Sequence, residues 1–191
     1  MHEKPSRRQF LASSASFAGA GWLTMHASAL AALSACARDA AMQNAPFTTL
    51  TAEEARTLSA FAAQILPSGD GQPGAGELGS IHFIDRALGS YLSQMRELIA
   101  EGARDLDARA RSATPPATSF AALTPEQQIA VMTAVESEPW FFNARMITLM
   151  GAFSDPSHGG NRDGAGLRLL QIEHQPTHTP PFGHYDAEYV A

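Results

Sequence analysis

One cysteine and one lysine occur in the whole chain, Cys36 and Lys4. A lone cysteine excludes an intrachain disulfide, so the compartment has to be read from other signals. Several catalytic patterns are also missing. There is no G-x-S-x-G, no H-E-x-x-H and no C-x-x-C, and no G-x-G-x-x-G opens a helix after a strand. The glycine-rich stretch near the C-terminus is not followed by G-K-[ST], which excludes a phosphate-cradling P-loop. No segment alternates apolar and polar residues long enough to read as a strand. Once residues 1–35 are set aside, ten arginines face eighteen acidic residues, a net charge of −8. Such a surface repels phosphate and argues against a nucleic-acid partner.

The N-terminus reads as an address. Ser6-Arg7-Arg8-Gln9-Phe10-Leu11 matches the twin-arginine export pattern S-R-R-x-F-L, with Arg7, Arg8, Phe10 and Leu11 as its signal residues. A weakly apolar run rich in Ala, Ser and Gly follows from Leu11 to Leu33. This predicts a periplasmic protein that crosses the membrane folded, and residues 1–35 are left out of fold reasoning. Leu33-Ser34-Ala35-Cys36 resembles a lipobox, which makes Cys36 a lipidation candidate. Two other outcomes stay open: cleavage at a nearby A-x-A site, and retention of the 23-residue run as a membrane anchor.

Residues 36–49 read as a linker, and 50–174 as one helical domain of four to five helices with long Gly/Pro loops. At the first helix, Thr51 and Glu54 form a capping box, Ala55, Leu58, Ala62 and Ile65 share a face, and Pro67 is the stop. Five glycines and Pro73 then fall between Ser68 and Gly79, either a surface connection or a contact loop. Ser80 to Leu88 is the second helix, and there Asp85 is spaced to meet His82. A third helix is expected over Tyr91 to Arg111, with an Asp105–Arg109 pair. Thr124, Pro125 and Gln127 open a fourth, with Ile129, Met132 and Val135 as its buried stripe. Glu138 to Phe153 is the fifth, with Trp140, Phe141, Ile147 and Met150 mostly inward. Next, Gly159, Gly160, Gly164 and Gly166 surround Asn161, Arg162 and Asp163, a loop that either braces itself or meets a partner. Asp155 before Pro156 ends the preceding helix. Leu167 to Ile172 is expected to return to the core.

Residues 175–191 form an extended tail stiffened by prolines, with Phe182, Tyr185 and Tyr189 as apolar anchors. Around it, His174, His178 and His184 with Glu173 and Asp186 are the one dense group of metal-ligand types. Their spacing fits no tight helical pair, so no metal site is assigned. An independent periplasmic lipoprotein binding metal through this tail stands as the alternative reading.

Phe153 to Gly164, FSDPSHGGNRDG, resembles the C-terminal signature of the gluconate 2-dehydrogenase subunit 3 family. Ile65-Leu66-Pro67 before an acidic Gly/Pro loop agrees, as does His82-Phe83-Ile84-Asp85-Arg86-Ala87-Leu88. The resemblance spans Leu50 to Ile172 and departs at His158, where an aromatic such as Tyr is expected. It implies a small, non-catalytic subunit that binds no cofactor itself. The implied partner is a large FAD-dependent flavoprotein of the glucose-methanol-choline type, with a cytochrome c subunit or quinone as electron acceptor. The twin-arginine translocase would be a further partner. The surfaces expected to meet the flavoprotein are the two glycine-rich loops, through Asp155, Gly159, Gly160, Asn161, Arg162 and Asp163, and the tail, through Phe182 and Tyr185. Trp140 and Phe142 are aromatic anchors for that contact if exposed.

Overall fold

The structure, a computed structural model, describes residues 46–114 and 116–172. The expected export signal, Cys36, the histidine group around His174, His178 and His184, and the tail anchors Phe182 and Tyr185 lie outside the described residues. Within them the fold is all-α, with six α-helices and no strand. No described helix is long and apolar enough to cross a membrane.

Helix α1 spans Ala52–Ile65. Its capping box forms as expected: the Thr51 hydroxyl accepts from the Glu54 N–H at 3.2 Å, and the Thr51 N–H donates to Glu54 Oε2 at 2.8 Å. Arg96 adds a 2.7 Å contact to the same oxygen and ties this cap to the third helix. Helix α2 spans Ser80–Leu88 and buries Phe83, Ile84, Ala87 and Leu88. Helix α3 spans Arg96–Ala113. It does not begin at Tyr91. After Gly89 the Leu92 N–H turns back to the Ala87 carbonyl at 2.8 Å, and a single 3₁₀ turn, Ser93–Met95, re-aims the chain first. The expected Asp105–Arg109 pair on α3 is present at 2.9 Å.

Helix α4 spans Pro125–Thr133 and is capped by Thr124 and Gln127 as read from the sequence. Its buried face is Gln128, Val131 and Met132, continued by Val135. Ile129 is exposed, because Gln128 takes the inward position. That glutamine is satisfied inside: its amide donates to the Phe120 and Leu123 carbonyls at 3.2 and 3.3 Å and accepts from Gln64 at 2.8 Å. A buried polar side chain that finds all its partners fixes the helix's rotation as firmly as an apolar one. Helix α5 spans Pro139–Phe153 and buries Trp140, Ala144, Ile147, Gly151 and Ala152. Met150, expected inward, faces out. Helix α6 is short, Ala165–Leu169.

Helices α1, α3 and α5 pack on one another, and α2 lies chiefly against α5. Phe61, Phe83, Phe120, Leu106 and Ile147 fill the centre. Trp140 reaches α3 because residue 102 is glycine; a Cβ there would stand 2.5 Å from the indole. Asp107 joins layers by accepting from the Thr57 hydroxyl at 2.9 Å and the Phe120 N–H at 2.8 Å. Leu167 to Ile172 does not re-enter the core: Leu170 and Ile172 are exposed, and Gly166 is the residue of α6 that is buried. A five-residue helix entered through left-handed Gly164 and followed, one residue past its C-cap, by left-handed Gln171 is too short to turn a whole apolar face inward.

Candidate partner-binding surface

The two glycine-rich loops are built, and they meet. The first leaves α1 at Leu66. Gly69 and Gln72 exchange backbone hydrogen bonds, the Ala75 N–H returns to the Leu66 carbonyl at 2.8 Å, and the Gly74 N–H donates to Glu77 Oε2 at 3.1 Å. Ala75 and Leu78 are buried, so half of this loop belongs to the core and it is not a free connection. The second loop, residues 154–164, is sewn to the last turn of α5. The Asn161 N–H donates to the Gly151 carbonyl at 2.8 Å, its amide donates to the Ser154 carbonyl at 2.6 Å, and its Oδ1 accepts from the Gly166 N–H at 2.8 Å. Asn161 has φ 46°, a left-handed conformation that asparagine tolerates better than most residues. Gly160 lies so close to α5 that a Cβ would sit 2.0 Å from the Gly151 carbonyl oxygen. The two loops join where the Arg162 N–H donates to the Leu78 carbonyl at 3.1 Å.

Basic groups gather at that seam. The Arg86 guanidinium lies along Gly159, where a Cβ would crowd it at 2.9 Å. Burial and then the charges of Arg162 and Arg86 hold the His82 imidazole below its ordinary pKa, against a weaker pull from Asp85. His82 stacks on Phe47, with ring centroids 5.4 Å apart.

The expected His82–Asp85 contact is not what Asp85 is for. Its Oδ1 accepts the N–H groups of Thr49 and Leu50, both at 2.8 Å, and its Oδ2 accepts the Thr48 N–H at 3.0 Å and the Thr48 hydroxyl at 3.2 Å. Burial alone would raise this carboxyl; the three backbone donors and the hydroxyl outweigh it and hold the pKa below the usual aspartate value. Residues Phe47 to Thr49, read as the end of a linker, are therefore fastened to the helical body.

The expected interface residues separate by burial. Gly160, Asn161 and Trp140 are buried; they brace the molecule from inside and offer a partner no surface. Asp155, Gly159 and Arg162 are half-buried, and Asp155 accepts from the Ser157 N–H at 2.8 Å. Asp163 and Phe142 are exposed. Sequence reasoning missed that Phe142 has company on its side of α5, namely Met146 and Met150. The signal was present: α5 carries one charged residue, Arg145, and is apolar on all sides.

Among the described residues no three His, Cys, Asp or Glu side chains gather as a metal site. Two open clefts are lined by Thr51, Glu53, Glu54, Arg104, Asp107 and Arg111, and by Arg109, Ser112, Thr114 and Gln127. Neither lining pairs a nucleophile with a histidine.

The family model for gluconate 2-dehydrogenase subunit 3 matches residues 52–172, well over half of the chain. The chain belongs to the gluconate 2-dehydrogenase subunit 3 family. Comparison with curated proteins and with solved structures gave no significant match. The subunit 3 match takes in all six helices and both glycine-rich loops, and it ends at Ile172. Membership of a subunit family places the chain in a complex with other dehydrogenase subunits. Residues Thr48 to Leu50, which Asp85 holds, lie just before the matched region.

Proposed function

We propose that this chain is the non-catalytic small subunit of a periplasmic flavin-dependent dehydrogenase that oxidises a sugar or sugar acid. The carrying observation is the family match over residues 52–172. It is supported by how the acidic side chains are used: Asp85, Asp107 and Glu54 are committed to backbone donors, a buried threonine and an arginine. The flavin belongs to the large glucose-methanol-choline type partner, and electrons pass on to a cytochrome c or quinone. A flavoprotein takes up its cofactor while folding in the cytoplasm and must then cross the membrane folded. The Arg7-Arg8 address on this chain supplies that route for both, and Cys36 is the site where lipid would hold the complex at the membrane.

The test is to produce the large subunit alone, with this chain, and with an Arg7→Lys/Arg8→Lys variant. Flavin-loaded dehydrogenase activity in the periplasm should require the wild-type chain and fall by at least about ten-fold without it. Equal periplasmic activity in all three strains would refute the carrier role.

A further inference from the structure

We infer that the outward face of α5 is the surface by which this chain docks on the flavoprotein subunit. This rests on the functional reading above and names the contact within it. Phe142, Met146, Leu149, Met150 and Phe153 recur at three- and four-residue spacing and share one side of the helix. The opposite side, Trp140, Ala144, Ile147 and Gly151, is already spent on the core. Phe142 is 57% exposed, Met146 39% and Met150 40%. A helix apolar on both faces is ordinarily covered on both, and soluble chains seldom leave such a stripe to water. Fifteen residues make it about 22 Å long. At its C-terminal end sits α6, pressed against Ala152 through Gly166, and just beyond it Leu170 and Ile172 are exposed as well. The whole stripe falls within the matched family region.

Charge selects the occupant. Arg145 is the one ionisable group on α5, and it lies 5.8 Å from the centre of the Phe142 ring. A two-fold pair of copies centred on Met146 would press Arg145 of each against the other with no acid on either helix to relieve it. A different chain that presents an apolar groove with a carboxylate facing Arg145 avoids that cost. Methionines and a phenylalanine suit such a groove, since flexible thioethers adapt to its contour and the ring supplies an anchor. The other dehydrogenase subunit is the partner that family membership already requires.

The experiment co-produces this chain, tagged, with the flavoprotein subunit and measures bound flavin per chain after purification. A Phe142→Asp/Met146→Asp variant is compared with Ile129→Asp, which places the same charge at an exposed apolar site on α4. All three sites are on the surface, and thermal melts of the purified chains confirm that the fold is kept. The double variant should retain at least about ten-fold less flavoprotein than wild type, while Ile129→Asp matches wild type. Equal retention by the double variant overturns the inference, as does equal loss in both variants. If the wild-type chain itself retains no flavoprotein, the functional reading fails and this inference with it. Retention unchanged in the double variant, together with loss of a concentration-dependent dimer in sedimentation, would assign the face to a second copy. Retention unchanged together with new proteolysis of residues 175–191 would assign it to the chain's own tail.

Discussion

Asp85 shows how much one side chain can do that its neighbours in sequence do not announce. Spacing pairs it with His82, one turn away. Its partners instead lie 35 to 37 residues earlier, in a segment with no periodicity to mark it. A carboxylate that collects several backbone donors is strongly held, because each charge-assisted bond contributes about 1.5–3 kcal/mol and the Leu50 N–H would otherwise stay buried and unsatisfied. Asp85→Ala should therefore cost about 2–4 kcal/mol of stability in denaturant unfolding. A loss under about 0.5 kcal/mol, typical of a plain surface change, would contradict the assignment. Asn161 was legible only by half. Its place among glycines marks a turn, but the sequence does not say that its amide faces inward to Ser154 and Gly166.

At the scale of elements, the caps were the most legible features. Thr51 with Glu54, and Thr124 with Gln127, announce two helix starts because the reciprocal hydrogen bonds need only residues three apart. The start of α3 was not legible, because the turn after Gly89 depends on backbone bonds that any side chains allow. Helix faces went wrong where a polar residue sits inside, as Gln128 does, or where apolar residues sit outside, as Met150 does. The loop after α5 gives a sharp test of how tightly it is joined to that helix. Gly160→Ala would drive a methyl into the Gly151 carbonyl, and backbone cannot yield as a flexible side chain can. We expect a loss of about 2–4 kcal/mol and, in hydrogen exchange, faster opening of residues 154–166 than of α1. An alanine variant as stable as wild type would mean that the seam is loose.

For the whole molecule, the helical class and the family could both be read in advance, since they rest on periodicity and on the stretch from Phe153 to Gly164. The docking face was legible only in part: the apolar character of α5 on all sides stands in the sequence, but which side stays exposed is decided by where the other helices end up. Stability should also carry a pH signature. The folded state holds His82 below its ordinary pKa, so the unfolded chain binds that proton first as pH falls. The stabilisation is complete above about pH 6.5 and is lost as pH drops toward the lowered folded value. Asp85 is depressed too, so its contribution holds above about pH 4 and fades below. Melting temperatures between pH 7.5 and 5 should fall more steeply for wild type than for His82→Gln; parallel slopes would exclude the histidine as the cause. The grip of Asp85 on Thr48, Thr49 and Leu50 has a mechanical side as well. Tension arriving along the chain from its N-terminal end is borne by three adjacent amides hooked to one carboxylate. They have to give way nearly together before α1 can begin to peel, so a tug on the residues that precede Phe47 loads α2 and leaves the first helix wound.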